Sequence, residues 1–275
     1  MTSIKLALCQ MNVVDDKDEN LKKASSMIAQ SIDENVDFIV LPEMFNCPYS
    51  NDKFIEYQEE ENSSKTLDLI SALARKNNVY ILAGSIPEKE NSNLYNTSYL
   101  FNREGEIIAK HRKMHLFDID VKDRITFKES DVLTAGDDFT IAETEFGKIG
   151  IGICYDVRFP ELARIMVENG ALVLFYPGAF NMTTGPAHWE LLFRSRALDN
   201  QAFAIGVAPA LNKSASYHSY GHSIIANPWG EIIVQAGEKE ELIISEIDLD
   251  EIKKIREELP LLKNKRKDLY EVSKK

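Results

Sequence analysis

The sequence predicts an α/β fold in which two β-sheets pack face to face and helices cover their outer surfaces. Many short apolar segments with the character of strands alternate with a few amphipathic helical segments along the 275 residues. Two of these alternations have the order strand–helix–strand, a unit that normally places its two strands side by side in parallel. The same alternation also fits one open sheet with helices on both faces, and the pattern alone leaves both arrangements open.

The first strand–helix–strand unit begins near the start of the chain. Its predicted strand, helix and second strand are residues 4–14, 18–35 and 36–45. Leu21, Ala24 and Ile28 recur at helical spacing along one face of the middle segment. The last segment, VDFIVLPEMF, is a buried strand that we expect to end at Pro42.

The next segment predicts a helix and a hairpin. Residues 64–77 are expected to be helical and to lead into the strand VYILAGS. YNTSYLFN and EIIAKHRK follow as two strands joined by a turn at residues 103–105. The stretch from this hairpin to Lys148 is predicted to be irregular.

The second strand–helix–strand unit comprises KIGIGIC, a helix over residues 159–169, and ALVLFYPGAF. Gly170 is well placed to end this helix. FIVLPEMF and VLFYPGAF align two prolines and two phenylalanines, which indicates two related halves. The chain then continues with a helix over residues 186–200 and the strands AFAIGVA, GHSIIANP, EIIVQA and ELIISEIDL. Because no linker-like stretch interrupts it, residues 1–275 are predicted to form a single domain.

Composition and charge exclude several classes of function. The formal net charge of −12 opposes binding to a nucleic-acid backbone, and the basic run at residues 263–267 is expected to lie in a solvated tail or against a partner subunit. No apolar run approaches the roughly 18–20 residues that cross a membrane, and the start lacks the features of a signal peptide. Cys9, Cys47 and Cys154 are widely spaced and odd in number, which favours reduced thiols and a cytoplasmic location.

Three chemically complementary side chains follow the ends of predicted strands. Glu43 comes after FIVLP, Lys113 after EIIAKHR and Cys154 after IGIGI. Reacting groups in α/β folds gather where strand ends meet loops. Attack by a thiol on a carbonyl needs a base for the thiol proton and a cation or donor for the oxyanion. Each residue also has a structural interpretation: an exposed glutamate, a solvated lysine and a core cysteine.

Other catalytic groups and cofactors find no support in the sequence. Histidine is the usual partner of a catalytic cysteine, and nothing marks any of the five histidines as the base, although proximity in space stays open. The chain has no HExxH motif and no cysteine pair with zinc-ligand spacing, so we expect no metal. GxGxxG and GxxxxGK[ST] motifs are also absent, so we expect no nucleotide cofactor.

The chain resembles the nitrilase superfamily of carbon–nitrogen hydrolases over about residues 4–270. The motifs that carry this likeness are, in order, LPEMF, HRKMHLFD, FKESDVLTAGD and GICYDVRFPEL. The resemblance implies a catalytic triad of Glu43, Lys113 and Cys154, with Glu129 as a fourth catalytic residue. It also implies a four-layer αββα sandwich of two mixed sheets and a homodimer, with residues 250–275, a C-terminal helix and tail, as candidates for its interface.

Within the superfamily the closest likeness is to the omega-amidase branch, carried mainly by PGAFNMTTGPAHWELL. This likeness implies hydrolysis of a small linear amide, α-ketoglutaramate or α-ketosuccinamate, to a carboxylate and ammonia. Hydrolysis of deaminated glutathione or of an N-carbamoyl compound stays open as an alternative. An inactive small-molecule binding module on the same fold is the alternative from another class, which the presence of all four polar residues disfavours.

The resemblance also implies a mechanism. Glu43 takes the proton of Cys154 as the sulfur attacks the amide carbon. Lys113 and the backbone N–H of Tyr155 stabilise the oxyanion. Glu129 orients the substrate amide or Lys113. We further expect the positive end of the helix that follows the cysteine to favour its thiolate.

Five further residues have candidate roles. Tyr49, Arg158 and Thr183 are candidates for binding the substrate carboxylate, although Arg158 could instead hold the turn after the cysteine. Asp156 is predicted to be a turn residue whose side chain bonds local backbone. Cys47 is expected to line the pocket or to be a second oxidisable thiol.

Overall fold

The computed structural model describes residues 3–275. Its helices are α1 (Lys17–Ile32), α2 (Asn51–Tyr57), α3 (Lys65–Asn77), α4 (Pro160–Glu168), α5 (Gly185–Asn200), α6 (Asp250–Glu258) and α7 (Leu261–Asn264). Its strands are β1 (Ser3–Gln10), β2 (Phe38–Val40), β3 (Tyr80–Leu82), β4 (Ile86–Glu90), β5 (Asn93–Phe101), β6 (Ile107–Arg112), β7 (Asp118–Val121), β8 (Ile125–Lys128), β9 (Thr140–Thr144), β10 (Gly147–Ile151), β11 (Ala171–Pro177), β12 (Phe203–Val207), β13 (Ile224–Ala226), β14 (Ile232–Gln235) and β15 (Glu241–Asp248).

Two mixed sheets form the centre of the molecule. The larger has the strand order β15-β1-β2-β3-β5-β4 with β6 also paired to β5, and the smaller has the order β14-β13-β12-β11-β10-β9. Strands β1, β2 and β3 pair in parallel, as do β10, β11 and β12, and antiparallel strands flank both sets. Strands β2 and β11 each hold the middle of a parallel triplet, in agreement with the local likeness between FIVLPEMF and VLFYPGAF.

Alternation of side chains along the strands builds three apolar layers. Leu6 and Leu8 of β1 pack in one cluster with Phe175 of the other sheet, whereas Ala7 and Cys9 of β1 face α1 and α3. A third cluster joins the smaller sheet to α4 and α5. The layer order is therefore helix–sheet–sheet–helix, which confirms the predicted αββα sandwich and excludes a single open sheet.

Most predicted elements are confirmed, with helix ends that differ by at most three residues. The hairpin of β5 and β6 turns at residues 102–105, where Gly105 has a φ of 76°. Gly170 has a φ of 104° directly after α4, a conformation that favours glycine and ends the helix.

The stretch predicted to be irregular contains regular structure. Strands β7 and β8 form a separate hairpin of four residues each, and β9 joins the edge of the smaller sheet. Strand β4 and helix α2 were also not predicted. These elements are short, and polar side chains such as Glu88 in β4 interrupt their apolar pattern, so periodicity does not reveal them.

The last 26 residues pack on the smaller sheet's side of the molecule. Helix α6 buries Ile252 and Ile255. The Lys265 ammonium group lies 2.7 Å from the Glu168 carboxylate, so part of the basic run is paired within the chain. Between residues 3 and 275, we find no helix long and apolar enough to cross a membrane.

Candidate active site

Cys154 lies on a sharp bend directly after the smaller sheet. Strand β10 ends at Ile151, and a 3₁₀-helix of five residues runs from Cys154 to Arg158. Cys154 has a φ of 46°, a left-handed conformation that is uncommon for residues other than glycine. Its side chain is buried. The strand and the short helix thus hold the thiol in a fixed and strained position, which the surrounding contacts must maintain.

Asp156 supplies contacts that hold this bend. One carboxylate oxygen accepts from the Ile153 N–H at 2.9 Å and contacts the His111 ring at 3.0 Å. The other accepts from the His115 N–H at 3.0 Å and contacts the His115 ring at 2.7 Å. The predicted bond to local backbone is confirmed, and the carboxylate also binds both residues that flank Lys113.

Lys113 and two glutamates form a fully buried cluster. The Lys113 Nζ lies 3.0 Å from the Glu43 Oε1 and 2.8 Å from the Glu129 Oε1. Glu43 accepts through its Oε2 from the Ala179 N–H at 2.7 Å, and Glu129 accepts from the Phe117 N–H at 2.6 Å. The structure therefore brings together three residues that lie far apart in the sequence.

The charges in this cluster depend on one another. Burial opposes the charge of Lys113, but Glu129 and Glu43 outweigh it and raise the pKa of its ammonium group. Burial raises the pKa of Glu129, while Lys113 acts in the opposite direction. Lys113 is therefore a fixed positive charge, as a residue that holds an oxyanion must be.

The environment of Cys154 favours the neutral thiol. Burial and then the Glu43 carboxylate raise the pKa of the Cys154 thiol well above its ordinary value, and Lys113 offsets this only in part. The expectation that a helix end favours the thiolate is wrong, because the segment after Cys154 is one short 3₁₀-helix and the nearest carboxylate opposes a second negative charge. The proton must leave during attack rather than before it.

Tyr49 belongs to the charged cluster. Its hydroxyl donates to the Glu129 Oε1 at 2.6 Å and lies 3.3 Å from the Glu43 Oε1. Burial, with Glu129 and Glu43, raises the pKa of this phenol well above its ordinary value, so it remains a donor. Its hydroxyl is therefore occupied by the glutamates, which argues against the predicted role in binding a substrate carboxylate.

The two other candidates for carboxylate binding have different surroundings. The Arg158 guanidinium lies 4.4 Å from the centroid of the Phe180 ring, and its buried Nε lacks a hydrogen-bond partner among residues 3–275. Burial lowers the pKa of this guanidinium, and Cys154 acts in the opposite direction. The Thr183 N–H donates to the Asn181 Oδ1 in the turn before α5. No hydrogen bond within the described range links Thr183 to the charged cluster.

Tyr155 immediately follows the cysteine in the 3₁₀-helix. Its ring packs edge-on against Phe117 and Phe159 at centroid distances of 5.3 and 5.5 Å. The contact with Phe117 anchors the Tyr155 ring against the loop that follows Lys113. The role of the Tyr155 backbone N–H in holding an oxyanion stays a prediction.

A cavity of about 430 Å³ reaches the charged cluster from the side of Glu43. Its wall includes Glu43, Tyr49, Cys47 and Tyr217, so the expectation that Cys47 lines the pocket is confirmed. Burial raises the pKa of the Cys47 thiol. Cys47 is therefore a poor nucleophile despite its position.

Sequence reasoning missed two polar residues of the site. The Asn96 Nδ2 donates to the Glu43 Oε1 at 2.9 Å from the middle of β5. The amide of Asn96 within the predicted strand YNTSYLFN is a signal that could have revealed it. The Tyr217 hydroxyl donates to the Ala179 O at 2.5 Å, and its ring lies 4.6 Å from that of Tyr49. Tyr217 lies in a serine-rich loop with no period, and nothing in the sequence marks it.

Gly178 has no side chain, and this lets the loop after β11 approach the bend that carries Cys154. A Cβ added to Gly178, just after β11, would lie 3.1 Å from the Cys154 Cα and 3.3 Å from the Trp189 ring. Both distances are tighter than ordinary contacts. Glycine therefore allows the loop after β11 to pack directly on the bend, which also places the Ala179 N–H against Glu43.

These groups suit one kind of chemistry. A buried thiol next to a carboxylate can attack a carbonyl and transfer its proton, and a buried ammonium group can hold the oxyanion that forms. No group of metal-ligating side chains occurs in the part of the chain that the structure describes. The αββα sandwich and this site together define a class of thiol hydrolases that cleave carbon–nitrogen bonds.

Comparison with known proteins agrees with this class. The family model for carbon–nitrogen hydrolases matches residues 5–257. Omega-amidase NIT2 of Bos taurus and that of Homo sapiens are each 46% identical over 275 residues, which cover 100% of this chain and 99% of theirs. The crystal structure of Saccharomyces cerevisiae Nit3, a member of branch 10 of the nitrilase superfamily, has a TM-score of 0.88 and 43% identity, with 96% of this chain and 97% of that chain covered.

The chain belongs to the carbon–nitrogen hydrolase family. The predicted resemblance to the nitrilase superfamily is thereby confirmed, and so is the prediction of a hydrolase that acts on carbon–nitrogen bonds of non-peptide amides.

Proposed function

We propose that this protein is an omega-amidase that hydrolyses a small linear amide with a carboxylate at its far end, such as α-ketoglutaramate or α-ketosuccinamate. The observation that carries the proposal is Arg158, a half-buried guanidinium four residues after Cys154 whose buried Nε has no hydrogen-bond partner and which is paired with no carboxylate among residues 3–275. A buried cation without a counter-ion is costly, and an anionic substrate would supply that counter-ion. The 46% identity to omega-amidases supports the same substrate class.

In this proposal Cys154, Glu43, Lys113 and Glu129 carry the reaction. The Cys154 sulfur forms a bond to the amide carbon while its proton passes to Glu43. Lys113 and the Tyr155 backbone N–H hold the oxyanion of the tetrahedral intermediate. Glu129 fixes the Lys113 ammonium group, 2.8 Å away.

The intermediate then collapses in two stages. The carbon–nitrogen bond breaks as Glu43 gives its proton to the departing nitrogen. The nitrogen leaves as ammonia, and the acyl group stays on Cys154 as a thioester. Water then attacks the thioester as Glu43 takes one of its protons, and the carbon–sulfur bond breaks as Glu43 gives that proton to the sulfur and restores the thiol. The product leaves as the carboxylic acid, which ionises to the carboxylate in solution. Three hydrogen bonds to Glu43, from the Asn96 amide, the Lys113 ammonium group and the Ala179 N–H, keep its carboxylate in one orientation through both stages.

The test is ammonia release from α-ketoglutaramate by the wild type, by Cys154→Ala and by Cys9→Ala as the matched control. Cys9 is an equally buried thiol, but it lies in the layer beneath α1 and α3. We expect fast release by the wild type and Cys9→Ala, and none by Cys154→Ala.

Deaminated glutathione and an N-carbamoyl compound are assayed in parallel. Preference for either compound would overturn the proposed substrate but leave the proposed role of Cys154 as nucleophile unchanged. Turnover that survives in Cys154→Ala would overturn the mechanism. Tight binding without release of ammonia from any of these amides would favour the inactive binding module.

We also propose a homodimer that buries an outer face of α5. Leu191 and Leu198 point outward from this helix, and Leu191 is 63% exposed. Trp229 is also exposed, and the adjacent Gly230 lies against Leu198. Leu269 and Tyr270 of the C-terminal tail add further exposed apolar area. Sedimentation of the wild type and Leu191→Glu tests this: a dimer that the substitution dissociates supports the interface, and a wild-type monomer refutes it.

We propose a cytoplasmic location for this enzyme. Its three cysteines are buried and unpaired in the structure of residues 3–275, which suits a reducing compartment. Microscopy of the tagged chain tests this, and exclusive retention within a membrane-bounded compartment would contradict it.

A further inference from the structure

Helix α5 holds the segment that carries Arg158 at two points. The Arg196 Nε donates to the Val157 O at 2.7 Å, and its Nη2 donates to the Arg158 O at 3.2 Å. One turn after the start of the same helix, the His188 Nδ1 lies 3.1 Å from the Arg158 Nη1. The first two contacts fix the backbone of Arg158, and the third fixes the direction of its side chain.

The contact between His188 and Arg158 has only one chemical form. A guanidinium has donors and no acceptor, so the Nη1 must donate and the His188 Nδ1 must accept. The Nδ1 can accept only in a neutral ring whose proton is on the Nε2. A protonated ring would place a donor and a positive charge against the guanidinium.

We infer that His188 is a positioning residue that holds Arg158 towards the substrate carboxylate while its ring is neutral, and releases it when the ring is protonated. The inference rests on the proposed function, because it takes Arg158 as the group that meets the anionic end of the substrate. Under this inference, pH changes how well Arg158 binds the substrate carboxylate and does not change the attack of the Cys154 sulfur on the amide carbon.

The surroundings of both residues support this inference. Burial lowers the pKa of the His188 ring, and the positive charge of Arg158 lowers it further. The titratable groups that act on Arg158 are Cys154 and Tyr155 from its own segment and Tyr217 from the loop before β13.

The sign of the effect follows from these contacts. The pKa of His188 lies below the ordinary value of 6.5, so the ring is neutral and holds Arg158 at pH 7.5. Below that pKa the ring is charged and the hydrogen bond is lost. Binding of an anion next to Cys154 should therefore weaken as the pH falls through the lowered pKa of His188.

Alkylation of Cys154 by iodoacetate and by iodoacetamide tests this without any turnover. The two reagents are close in size and differ in charge, and the thiolate fraction cancels in the ratio of their rates. Rates are read at Cys154 by mass spectrometry between pH 7.5 and 5.5. We expect the ratio of iodoacetate to iodoacetamide to fall about tenfold in the wild type, the equivalent of one hydrogen bond to a charged group.

Variants at position 188 separate this effect from other titrations. His188→Asn keeps an acceptor near the place of the Nδ1 and cannot be protonated, so its ratio should stay high and much flatter with pH. His188→Leu has no acceptor and should give a low ratio at every pH. Arg158→Gln should give a low ratio whichever residue stands at 188.

Two outcomes would overturn the inference. One is a wild-type ratio that changes with pH no more than that of His188→Asn, and the other is a ratio that Arg158→Gln leaves unchanged. Ammonia release from α-ketoglutaramate is measured on the same preparations. No ammonia release by the wild type with its ratio still dependent on pH refutes the proposed substrate. Normal ammonia release with the same pH dependence of the ratio in the wild type and in His188→Asn refutes the inference alone.

Discussion

Tyr49 shows how a single hydroxyl organises the charged cluster. It donates 2.6 Å to Glu129 and lies 3.3 Å from both Glu43 and Lys113. Two carboxylates that share one ammonium group leave an excess of negative charge in a buried site, and a neutral donor between them reduces it. The hydroxyl thus stabilises the charge pattern that the proposed reaction requires.

Tyr49→Phe tests whether this residue acts on catalysis or on substrate binding. The substitution removes the hydroxyl but retains the ring, which packs 5.2 Å from Phe54 and 4.6 Å from Tyr217. We expect kcat to fall about tenfold or more, with KM changed less than threefold, because a hydrogen bond to a charged group is lost within the catalytic cluster. Steady-state ammonia release gives both constants.

Phe54→Leu is a matched control for this variant, because it disturbs the same aromatic packing and keeps the hydroxyl. A rise in KM at constant kcat in Tyr49→Phe would restore the interpretation of Tyr49 as a substrate contact.

At the scale of single elements, the bend after β10 depends on Asp156. Its four contacts join Ile153, on the cysteine side, to His111 and His115, on either side of Lys113. Neither segment alone fixes the nucleophile relative to the oxyanion-binding lysine. Asp156 therefore acts as a link between two elements that come from different sheets.

The pH dependence of stability tests this link. Burial opposes the Asp156 charge, but hydrogen bonds from His111 and His115 outweigh it and lower the pKa of the carboxyl. A depressed pKa contributes stability that is complete above the unfolded value, about 4, and is lost as the pH falls through the folded value. In urea titrations, the free energy of unfolding should fall more steeply below pH 4 for the wild type than for Asp156→Asn.

The other carboxylates titrate in both proteins, so the difference between the two curves isolates Asp156. Asp52→Asn is the control, because its carboxyl also has a lowered pKa but is solvent-exposed. Parallel curves for the wild type and Asp156→Asn would show that the contacts with the two histidines contribute no stability.

At the scale of the whole molecule, the apolar layer between the two sheets stabilises the fold. Phe38 of β2 is fully buried there. Its ring stacks on Tyr80 at 4.6 Å and lies 5.9 Å from Phe175 of the other sheet. The packing of the sheets sets how their strand ends meet, so this layer also sets the distance between Glu43 and Cys154.

Phe38→Ala should remove this contact between the sheets. We expect the free energy of unfolding to fall by about 3–5 kcal/mol, because a large buried ring leaves a cavity that rigid strands cannot close. Urea denaturation measures it, with the half-exposed Ile55→Ala as the control. A loss no larger than that of the control would mean that the two sheets adjust independently.

Much of the fold could be predicted because its signals are local. The apolar runs of β1 and β11, the helical spacing in α1 and the turn at Gly105 each reflect neighbours in the sequence. The polar hairpin of β7 and β8 lacked such a pattern. The sequence also identified Glu43, Lys113 and Cys154 as candidates, because each has suitable chemistry and follows a predicted strand.

The sequence by itself determined the order of strands and helices and the set of reactive groups that follow them. Only the tertiary structure decided how those groups are paired: the Tyr49 hydroxyl donates to Glu129 across 80 positions of sequence, and Arg158 has no carboxylate partner in the part of the chain from Ser3 onward. It also decided the direction in which the pKa of the Cys154 thiol shifts, because burial and the approach of Glu43 raise it. Such charges depend on distance and desolvation, which arise only when remote segments pack together.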